Sequence, residues 1–399
     1  MSSPRLYAPT HTPDARPQGY IPGLDGLRAL ACLAVFAEHF QQKTGLGGTL
    51  GPFDVERWLL SGWGVALLFS LSGFLLSLPL WRNLHTGSPP PRLAGFWARR
   101  LVRLAPAYFV CLTILIVHNS HWDEPRGVAD TVLHFLFLFN FAEFSFYSIN
   151  PPFWALGIIF QFYILFPLLF AVARLGGRRG APWIVGALAI GGYLLHLALM
   201  ATIVPALQPW PFPEHILRPE GYVLSRSLLA HLPHFLLGAL AGHYWITSHS
   251  PTADTTSPHG RRFDISFLVM AGLVTVMLGT AAGDLASLPH GRYALPLVPI
   301  GLALLVLWTP RAPMARLILE SLPIRTLGLI SYGIYIYHYP ALNLTGRVME
   351  RYGVPPAENM ALYAAIALGL TIVVSAGSYL LVEKPILKAT RRLSASQGP

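Results

Sequence analysis

Charge is what this sequence has least of. Only 12% of its 399 residues are Asp, Glu, Lys or Arg, against 53% hydrophobic, and the mean hydropathy is +0.51. An ordinary soluble domain carries about 25% charged residues, so the composition excludes one and implies a polytopic integral membrane protein. Cysteine is almost absent as well. Cys32 and Cys111 both lie inside apolar runs, which leaves no disulfide framework and no thiol motif. Acidic residues number 18 against 28 Lys and Arg, a net charge of +10. That surplus does not indicate nucleic acid, because the arginines sit in short loops between apolar runs, where they act as topology signals. No apolar core precedes Leu24, so no cleavable leader is expected. No internal repeat of the inverted-topology transporter kind is visible.

What the chain has in quantity is long apolar runs. A spanning helix needs about 20 mostly apolar residues, and ten segments qualify: 24–40, 59–80, 104–118, 153–173, 182–204, 224–246, 265–282, 293–308, 326–344 and 360–382. The expected fold is therefore all-α, with about ten transmembrane helices. Arginines cluster in alternate loops, as at Arg82 to Arg103, Arg174 to Arg179, Arg261 and Arg262, and Arg311 to Arg325, and basic residues recur from Lys384 to Arg392. With those loops cytoplasmic, ten spans put both termini inside. An eleventh span at 132–146 would break the pattern, so that stretch is expected to be re-entrant or incomplete, buried where its backbone finds partners. The expected organisation is a cytoplasmic tail over 1–23, one transmembrane domain over 24–385 and a cytoplasmic tail over 386–399. The loop 205–225, with five prolines, is long enough to cover a site from outside.

Polar groups inside these runs mark candidate chemistry. In LDGLRALACLAVFAEHF, Arg28 and His39 are eleven residues apart. At about 100° and 1.5 Å per residue they share one helix face, about 16 Å apart along the axis. Ionisable groups inside a span cost about 3 kcal/mol or more, so their default reading is functional; the plainer reading is a snorkelling Arg28 and an interior histidine. Ser72 in GWGVALLFSLSGFLL, beside Gly73, fits either close helix packing or a ligand pocket against the first helix. Arg100 and Arg103 in FWARRLVRLAPAY sit three apart on one face. They suit either positive-inside anchoring or a phosphate, which arginine holds bidentately. Trp154, Gln161 and Tyr163 in PPFWALGIIFQFYILFP and Tyr332 and His338 in SYGIYIYHYP are candidate site walls, with Trp154 also suited to an interfacial anchor. Glu383 beside Lys384 reads as end-of-helix charge. The pairs His118/His121 and His231/His234 have metal-compatible spacing but no evident third ligand, so no metal site is expected.

Taken together, these motifs resemble acyltransferase family 3, membrane-bound enzymes that acylate exported glycans, lipids and secondary metabolites. The matching pieces are LDGLRA with Arg28 and His39, GVALLFSLSGFLL, FWARRLVRLAP, PFWAL with QFY, SYGIYIYHYP and YLLVEKP, in the family's order over nearly the whole chain. The resemblance implies a ten-helix fold, an acyl-CoA donor, usually acetyl-CoA, arriving from the cytosol, no bound cofactor, and an acceptor hydroxyl on a glycan or small molecule. It also implies a multi-pass protein of a bacterial plasma membrane. One position departs from the pattern: the family usually has a glutamate five residues after the tryptophan of its WSLxxE-type motif, and here that residue is Ile159, with Ala155 in place of the serine.

The expected activity is O-acyl transfer. His39 is the candidate base, Arg28 holds the donor or developing charge, and Arg100, Arg103 and Ser72 bind the donor. Two other readings stand beside it: a proton-coupled transporter or flippase using Arg28 and His39, and a weakly active relative lacking the usual glutamate.

Overall fold

The computed structural model describes residues 20–89, 92–119, 122–203, 222–248, 258–280 and 297–396. His121 and most of the 205–225 loop lie outside them. The helices are α1 (Leu24–Thr44), α2 (Val55–Leu59), α3 (Trp63–Thr86), α4 (Leu93–His118), α5 (Pro125–Phe135), α6 (Glu143–Phe146), α7 (Phe153–Arg174), α8 (Gly177–Ala198) and α9 (Tyr222–Ser225). They continue with α10 (Leu228–Thr247), α11 (Pro258–Gly279), α12 (Leu297–Trp308), α13 (Pro313–Leu319), α14 (Leu322–Leu329), α15 (Ser331–Arg351), α16 (Met360–Ser378) and α17 (Lys384–Ser396). Strand structure among the described residues is a hairpin pairing Thr49–Leu50 with Phe53–Asp54.

The fold is all-α. Among the described residues, seven helices are long and apolar enough to cross a membrane, or eight if the pair formed by Leu297–Arg311 and Pro313–Leu319, bent by 90°, is one broken span. That is fewer than the ten expected. The shortfall includes α1 and α15, each 21 residues, about 32 Å at 1.5 Å per residue and so long enough for a bilayer core of about 30 Å. Their polarity is what sets them apart. α1 packs against α3, α14 and α15, and α15 against α16. A helix covered by its neighbours can carry polar groups that a lipid-facing one cannot.

Segment 132–146 forms no single helix. It comprises the end of α5, a one-turn helix at Phe139–Phe141 and the four-residue α6, with Phe137 in the left-handed region at φ 57°. Several of its polar groups are answered locally. Asp130 accepts hydrogen bonds from Ser145 Oγ and His134 Nδ1, the latter at 3.1 Å, and Tyr108 donates to the His134 carbonyl at 2.9 Å. The His134 ring stacks on Phe139 at 4.3 Å, and Asn140 Nδ2 donates to the Trp154 carbonyl at 2.9 Å. Irregular backbone packed among apolar helices persists when it is so partnered.

Helices α3 and α10 meet through small residues. A Cβ at Gly73 would stand 1.8 Å from the Phe235 carbonyl oxygen, and one at Gly238 would stand 2.1 Å from that of Ser70. Backbone against backbone cannot yield, so this is close packing of the small-residue kind. Gly73→Val is therefore expected to destabilise the protein by about 3 kcal/mol, measured as a lower thermal midpoint in detergent, whereas Gly191→Ala, with nothing within 4 Å of its Cβ, does not lower the midpoint.

The Asp130 cluster generates a pH dependence. Burial favours the neutral acid, but the hydrogen bond and charge of His134 and the Ser145 hydroxyl outweigh it and bring the carboxyl from 3.8 down to about 2. A depressed carboxyl pKa stabilises the fold above the unfolded value, and that stabilisation is lost as pH falls through the folded value. Asp130→Asn should thus lower the thermal midpoint at pH 7, and the gap from the native chain should close between about pH 4 and pH 2.

Candidate active site

α1 and α15 run parallel. Cys32 Sγ, about two turns into α1, donates to the carbonyl of Ser331 at the start of α15 at 3.3 Å, and Phe36 and Phe40 pack with Leu342 further along. Between these contacts His39 meets His338, with Nδ1 of the first 3.2 Å from Nε2 of the second. His39 is 9% exposed and His338 fully buried.

The hydrogen bonds assign the tautomers. His338 Nδ1 lies 2.8 Å from the Tyr335 carbonyl and 3.1 Å from that of Ile334. Carbonyl oxygens only accept, so Nδ1 carries the proton and Nε2 of the neutral ring is an acceptor. His39 Nδ1 must then donate, shared between His338 Nε2 and the Val35 carbonyl at 2.9 Å. The proton count leaves the lone pair of His39 on Nε2. His338 thus holds its neighbour in the form a general base needs, and the Tyr339 ring presents its edge at 5.2 Å from the other side.

Toward the α1 N-terminus, a cavity of about 130 Å³ is lined by Arg28, Ser72, Arg103, Ile159, Tyr163 and Tyr332, among others. Five of these are expected site residues and the sixth is the position where the family pattern has glutamate. Arg28 is bound to Asp25 through Nη2, and its Nε is buried with no hydrogen-bond partner. Arg103 is exposed at the mouth. Ser72 Oγ donates to the Leu68 carbonyl at 2.8 Å, which leaves its lone pairs available. Tyr332 donates to the Leu104 carbonyl, and Tyr335, also in the wall, to the Pro152 carbonyl at 2.6 Å.

Other expected residues fall elsewhere. Arg100 is half-buried with its guanidinium 5.6 Å above the Phe96 ring, outside the cavity lining. Trp154 is 7% exposed, packed on Phe69 and His231 and under Arg226 at 5.1 Å. It is an interior residue here and not an interfacial anchor. Gln161 is half-buried and lines neither this cavity nor the larger one between α4 and α15. His231 and His234 are buried together, ring centroids 5.9 Å apart. Among the described residues no three or more His, Cys, Asp or Glu gather as a metal site.

Glu383, read from the sequence as end-of-helix charge, is placed differently by the structure. It is buried in a π-helical turn at Tyr379–Glu383, hydrogen-bonded to Ser378 and within electrostatic reach of Arg103. The signal was an acid closing an apolar run. Glu143, at the start of α6, accepts the backbone N–H groups of Tyr222 and Val223, both at 2.9 Å.

Fold and site together define a helical membrane protein in which the two helices that carry a buried histidine pair also line an arginine-bearing cavity, with neither histidine among the residues that line it. A family model described as an acyltransferase domain matches residues 21–380, and the chain belongs to acyltransferase family 3. Its relatives include the peptidoglycan O-acetyltransferase OatA of Listeria monocytogenes, 26% identical over 390 residues, covering 92% of this chain and 56% of that protein. The O-acetyltransferase OatA of Staphylococcus aureus is 24% identical over 395 residues, covering 92% and 57%. The chain thus spans little more than half the length of these relatives. No solved structure matches it.

Proposed function

We propose that this protein is a membrane O-acetyltransferase that moves an acetyl group from acetyl-CoA to a hydroxyl of a cell-surface glycan. The observation that carries the reading is the histidine pair, with His39 Nε2 left basic, on the two helices that also line the arginine-bearing cavity. The name of the Listeria relative, a peptidoglycan O-acetyltransferase, supports a glycan acceptor.

A cavity of about 130 Å³ admits a slender chain but no nucleotide. The nucleotide and its phosphates therefore stay at the mouth, with Arg103 and Arg28, and the pantetheine arm runs inward. The separation of about 16 Å between Arg28 and His39 makes Arg28 a holder of the donor and leaves the reacting carbonyl to groups nearer His39. His39 Nε2 takes the proton of the acceptor hydroxyl as its oxygen bonds to the thioester carbon. The carbon–sulfur bond then breaks, and the proton passes from His39 to the departing CoA sulfur. His338 accepts from His39 Nδ1 throughout and steadies the imidazolium as it forms. Glu383 lies within electrostatic reach of Arg103 and offsets part of its charge. Ile159 puts an alkyl group where relatives with the family's motif have a carboxylate, so the base works without that partner.

The deciding experiment follows free CoA thiol from the detergent-solubilised protein with acetyl-CoA and a glycan acceptor. His39→Ala should lower turnover by about 10² to 10⁴, and His338→Leu by about 10², with the KM for acetyl-CoA unchanged, because the second change disturbs only the tautomer. An absence of CoA binding would overturn the reading. On the donor side, Arg103→Gln should weaken CoA binding about 10- to 100-fold, the loss of one charge-assisted phosphate contact. Arg100→Gln, outside the lining, should cost less in the same titration.

A further inference from the structure

A second cavity, of about 430 Å³, opens between α4 and α15, well within the range of small-molecule sites. It is stacked on the first along the bundle. On α4, Arg103 and Leu104 line the first cavity and Ile114 to Asn119 the second; on α15, Ser331 to Tyr335 line the first and Tyr339 to Arg347 the second. α7 runs the other way, and the order inverts as it should: Asn150, just before it, faces the second cavity, and Ala155 to Tyr163 face the first. His338 lies between the two sets on α15, and Tyr339, which lines the second cavity, touches the His39 ring.

The lining has a definite chemistry. Asn150 is 1% exposed, and its Nδ2 donates to the Ile336 carbonyl at 3.1 Å. That bond fixes the amide, and the buried Oδ1 has no hydrogen-bond partner. A buried carbonyl oxygen left so costs about 1–3 kcal/mol, and a hydroxyl donor would answer it. Arg347 and His118 line the same cavity, no Asp or Glu does, and Lys43 Nζ stands 4.7 Å over the Tyr339 ring. The Tyr339 ring and the Asn343 amide complete a surface suited to a sugar.

We propose that this second cavity is the acceptor subsite and takes a glycan bearing an oxyanion. Asn150 Oδ1 accepts a hydrogen bond from a ring hydroxyl, and Arg347 pairs with the carboxylate or phosphate. The assignment rests on the O-acetyltransferase reading, but binding tests it separately.

The full chain in detergent, without acetyl-CoA, is titrated calorimetrically with three sugars: an N-acetylglucosamine–N-acetylmuramic acid disaccharide, which carries a carboxylate, a hexosamine phosphate, and a neutral N-acetylglucosamine disaccharide. Arg347→Gln should weaken the charged sugars about tenfold and spare the neutral one; whichever charged sugar responds more identifies the oxyanion. Asn150→Ala should weaken all three. Arg351→Gln, one turn beyond Arg347 and outside the lining, should change none. In turnover, Arg347→Gln and Asn150→Ala should raise the acceptor KM with the KM for acetyl-CoA unchanged. Arg347 is at an exposed position, so the test holds even if the buried Asn150→Ala does not fold. Failure of all three sugars to bind, or affinities indifferent to Arg347→Gln, overturns the assignment even where CoA release continues. Glycan binding with the expected variant pattern but no CoA release would keep the subsite and remove the acetyl-transfer reading.

Discussion

The parallel docking of α1 on α15, closed by the hydrogen bond from His39 Nδ1 to His338 Nε2, is the contact on which the rest of this structure depends. Two imidazoles buried side by side have four ring nitrogens to satisfy. Three are accounted for by backbone carbonyls and by each other. The donation that results is directional: it runs from His39 through His338 to the carbonyls of α15 and leaves one basic nitrogen on His39. Such a chain needs both helices at a fixed axial offset. That offset is fixed by close packing of the start of α1 on α13 and α14, the helices that lead into α15: a Cβ at Gly26 would meet the Leu319 carbonyl at 2.4 Å and one at Gly328 the Asp25 carbonyl at 2.2 Å.

The polarity of α1 and α15 follows from the same constraint. Helices that hold buried polar groups cannot also satisfy lipid, so apolar neighbours surround them. The irregular chain between α4 and α7 serves the same end. Its hydrogen bonds through Asn140 and Asn150 tie the start of α7 to its own backbone and to α15, and this brings both stacked cavities against the histidine helix. Arg311 shows another price of building in a membrane interior. Expected as a loop topology signal, it is 1% exposed, stacked 4.6 Å over Trp245, and bonded to the Leu307 carbonyl and to Ser248. A cation at a sharp bend finds its partners inside.

Much of the site was legible in linear order. Arg28 and His39 could be placed on one face because helical geometry is local, and five of the expected residues line one cavity because small or polar groups inside apolar runs are rare enough to stand out. Trp154 and Gln161 were less legible. Whether an aromatic or an amide on α7 meets lipid, a cavity or another helix depends on rotation about the helix axis, and periodicity in a uniformly apolar segment does not report that rotation. Glu383 was misjudged for a related reason, since an acid at the end of an apolar run looks the same whether it meets water or a buried arginine.

The sequence by itself determined the class of the protein: a low-charge chain with long apolar runs has no other solvent than a bilayer, and segment lengths and loop arginines follow from the thickness and field of that bilayer. It also determined which residues could do chemistry, because ionisable groups are costly there. Tertiary structure decided which of them meet. The pairing of His39 with His338, the tautomer it imposes, the unanswered oxygen of Asn150 and the stacking of two cavities on the same helices all join residues distant in sequence. Such contacts depend on how helices rotate and slide against one another, and packing between surfaces sets those two degrees of freedom where the pattern along any one helix does not.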